Sequence, residues 1–338
     1  MNTISRVFLM IILAACLLLP AGSHAGGAAI GLTYANFPPA NTFPCVQMER
    51  WKTEVEKRTG GKVKINTFPG GTLLGAKAML DGVIAGQADI GCLCMAYQPG
   101  RFMVTNATGL PLGIPDARTG SLVLLDLFQK YRPEAFAKVK VLTMFTSAPT
   151  NIMSKVPIRS LEDLKGLDLR GSGGAAQVLA ALGANPVGMP MPAVPEALQK
   201  GVVKGLLSSL EVMKDFNFAE LCRFVTMTDT AIYPFAVVMN LDSWNRLPAD
   251  VRKVMEGLRA EQAEWTGRYM DRHVREAMQW SREKYKVEVI KLSPAEKTRW
   301  DKRLRPIVAK WIAGARAKGL DGEAIVADIK AFMAKRAQ

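Results

Sequence analysis

Residues 62–93, KVKINTFPGGTLLGAKAMLDGVIAGQADIGCL, decide the fold. Lys62–Phe68 alternates apolar and polar side chains, the period of a half-buried strand. Pro69-Gly70-Gly71 turns the chain. Leu74–Ala85 has a helical pattern, and Gly86 stands where a left-handed C-terminal cap is expected. Ala88–Leu93 is apolar and of strand length. Upstream, Ala28–Tyr34 predicts a buried first strand, Asn36-Phe37-Pro38-Pro39 a loop, and Phe43–Arg58 a helix with Val46, Trp51 and Val55 inward. Strand–helix–strand–helix–strand in this order predicts an α/β layer with mostly parallel strands.

The pattern recurs downstream. Val139–Phe145 predicts a strand, Leu161–Leu164 a short helix, Leu167–Arg170 a strand, and Ala175–Leu182 a helix. A Pro/Met-rich segment, a helix from about Val194 to Gly201 and a strand at Gly205–Ser209 follow. This makes two α/β units, divided near Thr146–Pro149. Pro248–Lys284 differs: it is long, charged and helix-periodic, with Val251, Val254, Leu258, Trp265, Tyr269 and Met278 expected inside. At 1.5 Å per residue such a helix extends roughly 50 Å, enough to brace both units unless it is two helices. Val287–Ile290 predicts a short strand. Ser293-Pro294 supplies a cap residue and a first-turn proline for a basic helical tail.

The ends and the composition limit the function. One arginine, Arg6, precedes the apolar run Val7–Leu19, and Ser23-His24-Ala25 supplies small residues around a cut expected after Ala25. This is the layout of a secretory signal peptide, and the run is short for a membrane span. Leu13-Ala14-Ala15-Cys16 resembles a lipoprotein box, but Leu17–Leu19 carries the apolar core past it. Loss of Arg6 lowers the net charge from +14 to +13, which favours anionic partners. The basic residues are dispersed and accompany no nucleic-acid motif, so no nucleic-acid partner is expected. Cys45, Cys92, Cys94 and Cys222 remain after cleavage, and both disulfides and free buried thiols are open. No metal is expected: C-x-C is not a usual ligand spacing, and the one mature histidine, His273, lies in a charged helical stretch read as surface. A single histidine also weighs against nucleophilic catalysis. Gly171-Ser172-Gly173-Gly174 lacks the ending of a phosphate loop.

Five segments carry a family resemblance. They are Phe68–Gly75, Gly86–Gly91, Leu161–Arg170, Glu196–Val203, and Val238-Met239-Asn240 followed by Trp244 and Leu247-Pro248. In this order, behind a signal peptide, the sequence resembles the substrate-binding subunits of tripartite ATP-independent periplasmic (TRAP) transporters of the DctP type, over essentially its whole mature length. The resemblance implies a two-lobed periplasmic binding protein fold with a long helix spanning both lobes. Lobe I is expected from residues 26–147 plus about 234–270, and lobe II from 148–233 plus about 271–338. It implies capture of an organic acid in the periplasm, delivery to membrane permease subunits, a monomer, and neither catalysis nor a cofactor.

The resemblance makes Arg170 the carboxylate grip. An arginine at the C-terminal end of a buried strand faces the crevice where open α/β sheets bind ligands, and its planar fork takes a carboxylate bidentately. The competing role for Arg170 is an ion pair with Asp163 or Asp168. Asn36, Phe37, Met95 and Tyr97 are expected to line the cleft from the first lobe. Asn151, Ser208, Ser209, Phe235 and Asn240 are expected from the second lobe and the returning strand. The sequence departs from the family pattern at Ala193, Pro195, Lys204, Cys94 and Met95, where polar groups are common. A pocket this poor in polar groups predicts a carboxylate with an apolar body, such as a branched, aromatic or keto acid, and not a sugar acid. Three other readings are an ABC-type anion receptor, a sensor-associated binding module that signals by closing on its ligand, and a periplasmic lyase or dehydratase. The last needs an acid or base in the cleft, for which Glu196 and Glu211 are the nearby candidates, both read as helix surface.

Overall fold

The computed structural model describes residues 28–336; the expected signal peptide and Cys16 lie outside the described residues. Eleven strands are described: β1 Ile30–Asn36, β2 Val63–Phe68, β3 Ile90–Cys94, β4 Val139–Thr146, β5 Asn151–Ser154, β6 Asp168–Arg170, β7 Asn185–Val187, β8 Gly205–Ser208, β9 Phe224–Met227, β10 Pro234–Asn240 and β11 Glu288–Lys291. The larger helices are α1 Phe43–Arg58, α2 Ala117–Tyr131, α3 Gly174–Leu182, α4 Ala249–Tyr285, α5 Pro294–Arg316 and α6 Gly322–Arg336.

The strands form two sheets, in the orders β2-β1-β3-β10-β4 and β11-β9-β5-β8-β6-β7. β1 runs parallel to β2 and β3, as the opening βαβ pattern requires. β10 returns antiparallel between β3 and β4. In the second sheet β6 runs parallel to β7 and β8, and β5 antiparallel to β8 and β9. The backbone passes between the sheets after β4 and again before β10. The two crossing segments bond to each other: Ser147 N donates to Tyr233 O at 2.9 Å and Thr150 N to Ala231 O at 2.8 Å. They make a ribbon between two packed lobes, the geometry of a hinge. This is the two-lobed fold expected from the sequence.

The helix expected over Leu74–Ala85 is shorter, Met79–Ile84, because residues 75–78 make turns around Gly75. α4 is one helix of 37 residues. Its buried stripe runs through Val251, Met255, Leu258, Gln262, Thr266, Met270, His273 and Ala277. Trp265 and Tyr269, expected inside, lie half-buried at its edge, where their rings stack 5.4 Å apart. Gly267 explains why the stripe is lean: a Cβ there would sit 2.4 Å from Arg118 Cα of α2. Asp271 of α4 then accepts from the N-terminal amides of α2, Ala117 N at 2.8 Å and Arg118 N at 3.1 Å.

The tail divides between the lobes. α5 starts as expected, Ser293 Oγ accepting from Glu296 N at 3.2 Å, and packs on α3 beside the second sheet. α6, expected with the second lobe, instead packs on α2 of the first. Its buried Ile325 and Ile329 face that lobe, and Tyr131 Oη donates to Asp328 Oδ2 at 2.6 Å. The four described cysteines are buried and free. Among the described residues no helix is long and apolar enough to cross a membrane.

Candidate functional site

Arg170 is placed by everything that precedes it. Ser160 and Asp163 form a capping box that starts the helix Leu161–Leu164. Gly166, at φ 68°, turns the backbone into β6. β6 lies between β7 and β8, so Leu169 and Arg170 are 0% exposed. Gly173 and Gly174 then let this corner meet the first lobe: a Cβ on Gly174 would sit 2.1 Å from Gly109 O, and one on Gly173 2.9 Å from Ala96 Cβ. This glycine run is a place of close backbone approach.

The Arg170 guanidinium has no carboxylate among its hydrogen-bond partners. Nε and Nη2 donate to Met189 O at 3.0 and 2.9 Å. Nη1 reaches Tyr233 Oη at 3.2 Å and Nη2 reaches Tyr97 Oη at 3.4 Å. The same two rings lie 5.4 and 5.9 Å from the guanidinium carbon. Asp163 is spent on its cap, and Asp168 accepts from Asn185. The two ion pairs open to Arg170 on the sequence are therefore not formed. Burial pushes the Tyr97 and Tyr233 hydroxyls up, so both stay protonated beside the cation. A buried charge without a counter-charge is expensive.

Arg170 faces a cavity between the lobes of about 440 Å³, including its opening to solvent. Its apolar wall comes mainly from Phe37, Phe43, Phe216 and Phe235. Phe37 and Phe235 are parallel, with centroids 6.5 Å apart, and Phe43 meets Phe235 edge-on at 5.3 Å. Ser208 and Ser209, at the end of β8, line it from the second lobe. The lobes also touch at its mouth: Tyr97 Oη accepts from Met191 N at 3.1 Å, and Asn41 Nδ2 donates to Asp215 O at 2.8 Å.

Of the expected site residues, Arg170, Phe37, Tyr97, Ser208, Ser209 and Phe235 meet at this cavity. Four do not. Asn36 donates to Pro44 O at 2.7 Å and so shapes the loop behind the wall. Met95 is buried and accepts from Thr105 Oγ1. Asn151 accepts from Thr228 N at 2.7 Å beside the hinge. Asn240 caps the helix Leu241–Asn245, accepting from Ser243 N at 3.0 Å. Each of the three amides is engaged by backbone close to it in the fold, and Asn151 also donates to Asp229 Oδ1 at 3.0 Å.

Two surface readings are corrected as well. Glu196 is exposed, but Glu211 is 2% exposed and lines the cavity. Burial pushes its carboxyl up to about 8, against a hydrogen bond from Ser209 that pulls the other way. His273 is also buried, with Nε2 2.7 Å from Asp215 Oδ1; that bond pushes the imidazole up against its burial. Tyr233 joins the site without a sequence expectation. It lies two residues before Phe235, in the crossing segment just ahead of β10, and both side chains line the cavity. Among the described residues no cluster of His, Cys, Asp and Glu is placed to hold a metal.

Residues 34–314 match the family described as bacterial extracellular solute-binding protein, family 7 (DctP). A crystal structure of a TRAP periplasmic solute-binding protein from Desulfovibrio salexigens is 57% identical, with a TM-score of 0.81 over 91% of this chain and 97% of that one. It is described as an open complex with the C-terminus of a symmetry mate in the ligand-binding site. A TRAP solute-binding protein from Rhodoferax ferrireducens, in complex with copurified benzoate, is 26% identical, with a TM-score of 0.87 over 91% of this chain and 99% of that one. The C4-dicarboxylate-binding periplasmic protein DctP of Rhodobacter capsulatus is 27% identical over 75% of this chain and 77% of its own length. A two-lobed α/β frame, a cleft at the hinge with a buried arginine on one wall, and a family match along most of the sequence place this protein among the DctP-type extracellular solute-binding proteins of TRAP transporters.

Proposed function

We propose that the protein captures a small monocarboxylate with an aromatic or branched apolar body in the periplasm and presents it, unaltered, to a TRAP membrane permease. The observation that carries this is Arg170, 0% exposed at the cleft and lacking a carboxylate partner among the described residues. The ligand's carboxylate supplies the counter-charge; the phenylalanine wall receives the rest. Burying an apolar body of phenyl size contributes roughly 2–3 kcal/mol. A second carboxylate on the ligand would instead meet that wall and incur a desolvation penalty of several kcal/mol. The relatives support the same chemistry: one holds benzoate, and the other holds the C-terminus of a symmetry mate, a segment that ends in a carboxylate.

Closure of the lobes is the working motion. The ligand favours the closed state by contacts made from both lobes at once, with Arg170 and Ser208 on one side and Phe37 and Tyr97 on the other. The protein works as an exported monomer, released by cleavage after Ala25, and engages no nucleic acid.

Calorimetric titration of the mature protein tests the ligand class. Benzoate, phenylacetate and a branched 2-oxoacid are compared with a hexonate and succinate. Binding confined to the first three is expected; binding only of the hexonate or succinate overturns the reading. Mass spectrometry of the ligand after incubation is expected to return it unchanged, and turnover would make Glu211 an acid–base catalyst instead.

A further inference from the structure

The turn after β8 puts a second polar group into the cleft that the carboxylate grip does not use. Glu211 is 2% exposed. Ser209 Oγ donates to its Oε1 at 2.8 Å, and its Oε2 is buried with no partner. One helical turn on, Asp215 Oδ1 meets His273 Nε2 at 2.7 Å, while Oδ2 is likewise buried and unpartnered. Both carboxyls line the same cavity as Arg170, and neither is among its hydrogen-bond partners. The cavity that receives a ligand held at Arg170 is therefore walled both by the phenylalanines and by these two carboxyls.

The state of these carboxyls selects the chemistry that meets them. The bond to Asp215 pushes His273 up, toward its charged form, and burial pushes Glu211 up to about 8, toward its protonated form. A second ligand carboxylate would meet two carboxyls whose hydrogen-bond donors, Ser209 and His273, are already engaged, and an ammonium would require Glu211 to ionise in a buried site. A hydroxyl both donates and accepts, so it satisfies Glu211 in either protonation state.

The geometry points to Glu211 as a specificity-determining residue that hydrogen-bonds a hydroxyl on the ligand's body, so that the preferred ligands are hydroxylated monocarboxylates. This rests on the reading that Arg170 holds the carboxylate. Buried polar groups left unmatched by a deoxy analogue make a site discriminate against it.

The test is calorimetry on the mature protein at pH 7, comparing benzoate with its 2-, 3- and 4-hydroxy derivatives and phenylacetate with its hydroxy derivatives. The best hydroxylated acid is expected to bind wild type about tenfold or more tighter than its plain parent. In Glu211→Leu the ratio between the hydroxylated and the plain acid is expected to fall below about threefold. Glu211→Gln, which keeps a hydrogen-bonding group, is expected to retain much of the advantage. Equal binding of plain and hydroxylated acids by wild type overturns the role of Glu211 but leaves the carboxylate reading standing, and needs no variant to fold. An advantage that survives in a folded Glu211→Leu also overturns it. Tighter binding of an aminomethyl-substituted acid replaces the neutral hydroxyl with a cation. Failure of every aromatic monocarboxylate to bind overturns this inference, and the carboxylate reading falls with it only if the branched 2-oxoacid fails as well.

Discussion

Arg170→Ala is expected to weaken ligand binding by about 2–5 kcal/mol, or roughly thirtyfold to several-thousandfold. The range is that for removing one member of a buried, hydrogen-bonded charge pair. Arg170→Lys is expected to recover little. A lysine presents a point charge in place of a fork, and it cannot hold Met189 O with one edge while offering the other to a carboxylate. Arg170→Met separates binding from folding, because it keeps a long stem in the buried site without the charge. Circular dichroism melting of that variant is expected to stay near wild type while calorimetry shows the lost affinity. An Arg170→Ala protein that binds its ligand with native affinity removes the arginine from its central role.

The second large effect comes from a residue that touches no ligand. Gly174→Ala is expected to weaken binding roughly 5- to 150-fold, from the 1–3 kcal/mol typical of overpacking a tight contact. The cause is the 2.1 Å approach between a Cβ at this position and Gly109 O of the other lobe. Gly174 opens α3 with an ordinary helical backbone, so alanine fits there without strain. On the proposed closure motion the penalty falls on the state in which the lobes meet, and a ligand shifts the lobes only by its differential affinity for that state. Small-angle scattering is expected to show wild type contracting on ligand addition and Gly174→Ala contracting little, with the melting temperature of the free protein held or slightly raised. Native affinity with full contraction would show that Gly174 and Gly109 do not limit closure.

Much of the frame was legible because its signals are local. Gly86 ends a helix at φ 72°, and Ser293-Pro294 starts another, each where the residue type predicts. α2 escapes a reading by period, since Gly120–Leu125 and Leu127 are buried almost continuously and show no 3.6-residue repeat. The path of α6 depends on contacts with a helix some two hundred residues earlier, which no window of sequence contains.

The site divides along the same line. Arg170 could be reached from its place at a strand end together with the family pattern. Asn36, Asn151 and Asn240 could not be separated from true ligand contacts, because a short amide serves nearby backbone as readily as a bound molecule. Glu211 and His273 carry charge in helical surroundings, and sequence alone assigns such residues to solvent. The burial of His273 follows from a partner, Asp215, which lies 58 residues before it in sequence and against it in the fold.

The most direct test of the central claim is a crystal structure of the mature protein with benzoate. Both carboxylate oxygens are predicted to lie about 2.7–2.9 Å from guanidinium nitrogens of Arg170, with the ring against Phe37 and Phe235 and the lobes closed. A carboxylate seated elsewhere in the cleft, with Arg170 still bound only to Met189 O and the two tyrosines, would contradict that claim.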